Sequence, residues 1–277
     1  MAESPKKTRT LSGRWDGAVK IMMGATALYY VWASTVGVVS LQYYRGIAVL
    51  YSLVVPLLLY KGRKRGREDR PTIIDLLLAL GATASVVYWM VEHEAMAYRA
   101  GDYSALDVGM GVIATIVAIE AARRVLGLDM ALCAIVPILY ALFGNYLPFI
   151  VGHRGYSPRR IVEYVYLTSD GIFGIMAQVL AEFIIPFVAF GAFLERAGVA
   201  KFFVDISLAS LGRIAGGPAQ ASVVSSALMG TTSGSPSAEP VTKAPITIPL
   251  MRRAGSPPHI AGAVEAAAST GAAIMPP

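Results

Sequence analysis

The sequence predicts an all-α, polytopic membrane protein with a re-entrant helical hairpin. Three observations carry that prediction. Of 277 residues, 55% are hydrophobic and 15% charged, with a mean hydropathy of +0.57, whereas soluble domains hold about 45–50% apolar and about 25% charged residues. Uncharged apolar runs recur, beginning with residues 21–41 (IMMGATALYYVWASTVGVVSL), and about 20 such residues suffice to cross the hydrocarbon core. From Gly216 the composition turns to Gly, Ala, Ser, Thr and Pro, in apolar arms too short to span. Together these exclude a soluble enzyme, a nucleic-acid-binding domain and a disordered chain. The single cysteine, Cys133, lies within an apolar run and leaves no internal disulfide framework.

The elements follow in order. Residues 1–20 form a polar tail carrying Lys6, Lys7, Arg9, Arg14 and Lys20. The tail lacks the short apolar core and small-residue cleavage site of a secretory signal, so 21–41 is read as a permanent first span. A second run, 46–60, ends at KGRKRGREDR (61–70), which holds six basic residues against Glu68 and Asp69. A third run, 73–91, is broken only by Asp75. An acidic connection, 92–107, sets Glu92, Glu94, Asp102 and Asp107 against Arg99, and a fourth run, 108–122, stops at Arg123 and Arg124.

Lysine and arginine collect in short cytoplasmic loops. An N-terminus inside the cell places 61–70 inside, 92–107 outside and Arg123–Arg124 inside, so three charge clusters agree with four crossings. The sequence pI near 9.4 therefore reflects membrane orientation, and no nucleic-acid partner is expected. A fifth run, 130–150, places 151–170 outside despite Arg154, Arg159 and Arg160. That stretch is expected to lie flat at the interface, with Ile161, Val162, Val165 and Tyr166 on the apolar face and the arginines toward headgroups. A sixth run, 171–193, carries Glu182 near its middle and Pro186 one turn later, and 199–211 reads as interfacial.

Two arms, 218–230 and 244–251, are joined by TTSGSPSAEP (231–240). Backbone groups exposed at membrane depth need protein or enclosed water to satisfy them, so this segment reads as a re-entrant hairpin. A second break falls at ASTGAAIMPP (268–277), where Thr270–Gly271 interrupts an apolar stretch begun at Ile260. Paired interrupted segments point to a transporter's binding site, because half-helix termini can face ions and anions. The competing explanation is close helix packing, with Ser and Thr bonded to their own helices. Pro236, Pro240, Pro245 and Pro249, together with the second break, favour a site.

Four segments carry a family resemblance: GGPA (216–219), SALMGTTSGS (226–235), TIPLMRRAG (247–255) and AGAVEAAASTGAAIMPP (261–277). They resemble the large membrane subunit of the tripartite ATP-independent periplasmic (TRAP) transporters. YLTSDGIFGI (166–175) and FGAFLERAGVAKFF (190–203) look like that subunit's opening, in the form fused to the small membrane subunit. Residues 21–124 resemble the four-helix small subunit, and EAARRVLG (120–127) the junction. The implied organisation is a tail (1–20), a small-subunit module (21–124), a linking helix and interfacial segment (125–165), and the start of the large subunit (166–277) with its hairpin at 216–253.

The resemblance implies a multi-pass permease of a bacterial or archaeal cytoplasmic membrane. It would import a small organic anion, such as a carboxylate, by an elevator motion driven by a sodium or proton gradient. A soluble periplasmic binding protein of the TAXI type would deliver the substrate, and no other cofactor is implied. By resemblance, Ser233, Gly234 and Ser235 sit at the hairpin tip and Ser269, Thr270 and Gly271 at a later broken helix, lining the cation and substrate region.

Departures from the family pattern are informative. Glu239 replaces the usual Asn in the tip sequence, and Lys243 stands where a small or hydroxyl residue is usual. Ala272 and Ala273 replace Gly and Gln, and Glu182 replaces a neutral residue. An ionisable residue at membrane depth costs roughly 2.5–3.5 kcal/mol on insertion scales and is rarely kept without a use or a partner. Burial raises a carboxyl pKa, so Glu239, with Glu182, is a candidate proton carrier. The alternative for Glu239 is a structural ion pair with Lys243, four residues on. Glu265 matches an acidic family position and is read as lying near a helix end.

His93, His153 and His259 have no second ligand at metal spacing, so no metal site is expected. Ser233 or Ser235 with His259 lacks a third group to orient a base, so the chain is not read as an enzyme. An ion channel or a structural subunit of a membrane complex is the remaining alternative, because channels also use re-entrant loops. The chain stops at Met275-Pro276-Pro277, inside a motif. It is therefore expected to be a fragment or truncated product that does not transport alone.

Overall fold

The apolar runs form helices, most of them longer than the runs themselves. The computed structural model describes residues 8–37, 39–62, 69–99, 101–148, 151–168, 170–212, 214–233 and 238–271. Among the described residues every named element is helical, and one antiparallel bridge joins Thr8 to Tyr60. The order begins α1 (Arg14–Thr35), α2 (Leu41–Leu59), α3 (Ile73–Tyr98), α4 (Ala105–Val125) and α5 (Leu128–Phe143). Next come α6 (Pro158–Val162), which runs into a π-helical turn at Glu163–Leu167, and α7 (Ile175–Val179). A second π-helical turn, Leu180–Ile184, leads into α8 (Ile185–Arg196). The chain then forms α9 (Val199–Leu211), α10 (Gly217–Ser233), α11 (Ala238–Arg253) and α12 (Pro258–Thr270).

Among the described residues five helical stretches are long and apolar enough to cross a membrane: Leu41–Leu59, Ile73–Tyr98, Ala105–Val125, Leu128–Tyr146 and Ile175–Leu194. The expected first span, 21–41, is displaced. Its helix is α1, which starts earlier and stops at Thr35. With 22 residues it is long enough, but it is not among the five, because Tyr, Trp, Thr, Ser and Gly dilute its apolar content. Along α5, Leu132, Val136, Leu139 and Phe143 are exposed, a surface that suits lipid and not water.

The acidic residues that seemed to interrupt the runs mostly start helices. Asp107 accepts from the Ser104 backbone N–H at 2.8 Å while Ser104 Oγ accepts from the Asp107 N–H at 3.2 Å. This reciprocal cap opens α4. Glu92, His93 and Glu94 belong to the last turns of α3, so the connection expected at 92–107 is much shorter.

The chain divides into two compact units, Met1–Ile185 and Pro186–Pro277. In the first, Leu53 and Leu57 of α2, Val86 and Trp89 of α3 and Val117 of α4 share a core with Tyr166 and Phe173. Trp89 stacks on Phe173 with ring centroids 3.9 Å apart. In the segment from Pro158 to Leu167, Val162 and Tyr166, expected on a face toward the interface, pack against α4. Tyr166 is fully buried and its hydroxyl donates to the Ser85 carbonyl at 2.6 Å. Gly111 makes this approach possible, since a Cβ there would stand 2.6 Å from Val162 Cγ1. Arg159 meets a protein carboxylate, Glu163, at 2.8 Å.

Asp75 anchors the opposite end of this bundle. Its carboxylate accepts from Arg9 Nη2 at 2.6 Å and from Arg124 Nη1 at 2.6 Å, with all three side chains buried. Arg124 also bonds the Leu57 carbonyl at 3.1 Å and pairs with Glu120 at 2.7 Å. One acid thus joins the N-terminal arm, α2, α3 and α4. Asp75→Ala strands two buried guanidinium groups and is expected to cost about 3–5 kcal/mol of stability, read as thermal unfolding in detergent. Loss of the exposed Asp16–Lys20 pair is expected to cost under ~1 kcal/mol in the same assay. Equal melting of both variants would contradict the anchoring role.

Candidate functional site

Helices α9 to α12 make up most of the second unit, and none matches the spanning length of α2 to α4. Arms α10 and α11 have 17 and 16 residues, short of the ~20 needed to cross. Helix continues to Ser233 and resumes at Ala238. Glu239 and Pro240, expected in the tip, therefore lie in the first turn of α11. Pro245 and Pro249 lie inside α11, and each removes a backbone N–H from the helical ladder. Between α11 and α12 the chain turns at Gly255, whose φ of 94° disfavours a side chain.

Each of three helices places polar residues four apart, one turn above another. On α10 these are Ser222 and Ser226; on α11, Glu239, Lys243 and Thr247; on α12, Glu265 and Ser269. All seven are at most 2% exposed. Lys243 Nζ donates to the Ser222 carbonyl at 3.0 Å and to Ser226 Oγ, and lies 3.3 Å from Glu265 Oε1. The other Glu265 oxygen accepts from Ser222 Oγ and from Thr247 Oγ1, both at 2.7 Å. Three oxygens surround this ammonium: Ser222 and Ser226 accept hydrogen bonds, and Glu265 Oε1 is an ion-pair contact without hydrogen-bond geometry.

That arrangement settles which acid the lysine serves. Lys243 pairs with Glu265 on α12, and the ion pair anticipated with Glu239 is not formed. Both Glu239 carboxyl oxygens are buried without a hydrogen-bond partner. Glu265, read from sequence as near a helix end, sits in the body of α12 at the centre of the cluster. Sequence reading did not single out Ser222, Ser226 and Thr247. The signal that could have found them is the repeated four-residue spacing of polar side chains on three short helices.

The other candidate residues are distributed as follows. Ser233 ends α10, while Gly234 and Ser235 lie outside the described residues, as do Ala272 and Ala273. Ser269 is buried, and its hydroxyl donates to the Glu265 carbonyl at 2.8 Å. Thr270 is exposed and donates to the Ala266 carbonyl at 2.9 Å, with Gly271 capping the helix. Both hydroxyls thus bond their own helix. Glu182 belongs to the first unit, in the π-helical turn, and accepts from Gln178 Nε2 at 2.8 Å. Gln178 in turn accepts from Arg45. Among the described residues no group of three or more His, Cys, Asp and Glu could hold a metal ion.

At a pH low enough to keep Glu239 protonated, removing the Glu265 carboxylate leaves a buried ammonium unmatched. Glu265→Ala is expected to cost about 3–5 kcal/mol, whereas Thr247→Val, which removes one hydrogen bond, is expected to cost about 1 kcal/mol. A Lys243→Met/Glu265→Gln double variant should recover much of the loss, measured by thermal unfolding in detergent. A double variant as unstable as Glu265→Ala would contradict the pairing.

Residues 113–277 match the family described as Tripartite ATP-independent periplasmic transporter, DctM component. No match was found among curated proteins or among solved structures. The matched stretch is well over half of the chain, includes the whole second unit and takes in the buried cluster. That family is the membrane permease component of TRAP transporters, which are transporters and not enzymes, and TRAP permeases work with a periplasmic binding protein. The chain is a multi-pass membrane protein that belongs to the DctM component family of the tripartite ATP-independent periplasmic transporters.

Proposed function

We propose that the chain is a membrane permease component of a binding-protein-dependent secondary transporter that imports a small organic anion, most simply a carboxylate. A sodium or proton gradient drives the uptake, and the second unit carries the substrate by an elevator motion. The observation that carries this reading is the buried polar cluster of the second unit. Short, proline-bearing arms surround two carboxylates and an ammonium at a depth where such groups are rare without a function. Family membership over 113–277 supports the same reading.

The finer assignments rest on the motif resemblance. Residues 21–124 are a fused small-subunit module, and the binding protein is of the TAXI type. The loop charges support a cytoplasmic N-terminus in a bacterial or archaeal inner membrane. Ser233, Gly234 and Ser235 at the hairpin tip, with Ser269, Thr270 and Gly271 at the end of α12, line the substrate and cation path. Glu239 and Glu182 are the candidate proton carriers.

Reconstitution of the complete transporter in liposomes tests the reading. Uptake of a labelled carboxylate should saturate with substrate and should require both an ion gradient and the soluble binding protein. Unitary currents, or uptake indifferent to the binding protein, would contradict it.

A further inference from the structure

The buried cluster of the second unit holds more acid than base. Glu239 is 1% exposed, and neither carboxyl oxygen makes a hydrogen bond of good geometry, although Ser226 stands beside it. The only cation in the cluster is already engaged by three oxygens from α10 and α12. Two carboxylates against one ammonium leave one unmatched negative charge, and an unmatched buried charge is costly enough that the group neutralises instead. Lys243 lies one helical turn from Glu239, in the acid-then-base order that favours pairing on a helix.

We propose that Glu239 binds a single proton and that Lys243 is a switch between two carboxylates. With Glu239 protonated, Lys243 rests on Glu265, as in this structure, and ties α11 to α12 and to α10. When Glu239 releases its proton, the ammonium turns back along its own helix to the new carboxylate. Glu265 then keeps only Ser222 and Thr247, and the lysine's ties to both neighbouring helices are lost. The lysine is thus a tethered cation on carbonyl, hydroxyl and carboxylate oxygens, and the proton is the mobile charge. This assignment rests on the transport reading and names its coupling ion.

The surroundings of Glu239 are consistent with one titrating group. Ser226 faces it from α10, Lys243 from its own helix and Glu265 from α12. From α9, Lys201 and Asp205 are exposed and do not belong to the buried cluster. The remaining charged side chains of α11, Arg252 and Arg253, and His259 of α12 are exposed as well.

Spin-label distance measurements on the purified chain test the switch without any transport assay. On a Cys133→Ser background, labels at Arg252→Cys on α11 and Ala266→Cys on α12 report the tie between the helices. The expected pattern is a narrow distance distribution at low pH that broadens as pH rises. Glu239→Gln should stay narrow throughout, and Lys243→Met should be broad throughout. Helical circular dichroism confirms folding, and a narrow Glu239→Gln distribution cannot arise from unfolding. An infrared carboxylic-acid band that disappears as pH rises, and is absent in Glu239→Gln, identifies the proton's site.

Three results would overturn the proposal: a native distribution that ignores pH, a Glu239→Gln distribution that still broadens, or a shift on adding sodium chloride at fixed pH. The last would assign the unmatched carboxylate to sodium. Uptake by liposomes with invariant distances would sink the switch alone. The expected distances without uptake would sink the transport reading alone.

Discussion

The buried ion pair between Lys243 and Glu265 is the interaction on which the packing of the second unit depends. Neither lipid nor protein interior solvates an isolated charge, so each charged group there must find its partner within the fold. The lysine meets that demand with oxygens from two neighbouring helices, and the glutamate with two hydroxyls and the ammonium. Three helices too short to span are thereby held around one polar centre. Their apolar faces alone would not specify that arrangement, because lipid tails are as apolar as the side chains they would replace.

The first unit obeys the same constraint for a structural purpose. Asp75 sits between Arg9 and Arg124, which brings the N-terminal arm, the end of α2, the start of α3 and the end of α4 to one point. There both carboxylates are paired: Glu120 is held by Arg123 and Arg124, and Asp75 accepts from the Thr72 backbone N–H at 2.7 Å as well as from Arg9 and Arg124. In the second unit one carboxylate, Glu239, is left over. A paired network stiffens a bundle, whereas an ammonium with a second acid one turn away on its own helix has somewhere to move, as the proposed switch requires.

The helical class and the positions of most spans were legible in the hydropathy, and the hairpin was legible in its Gly, Ser and Pro content. Ends were read less well. Asp75 and Asp107 register as interruptions in a hydropathy profile, yet they cap helices, which requires the geometry of Thr72 and Ser104. The partnership of Arg9 with Asp75 spans 66 positions, beyond any local pattern. Glu239 and Lys243 illustrate a subtler limit. Spacing of four shows that two side chains can reach each other, but not that α10 and α12 compete for the same ammonium and win. The π-helical turn at Glu163–Leu167 was likewise invisible, since it depends on Tyr166 reaching Ser85 across the bundle.

If the unmatched acid of the second unit carries the ion that drives uptake, protons enter with the substrate. The internal pH of sodium-free liposomes that contain the complete transporter, followed while the binding protein delivers substrate, measures this directly. Acidification should track substrate entry and disappear in Glu239→Gln. Substrate entry driven by sodium with no change in internal pH would contradict proton coupling through Glu239.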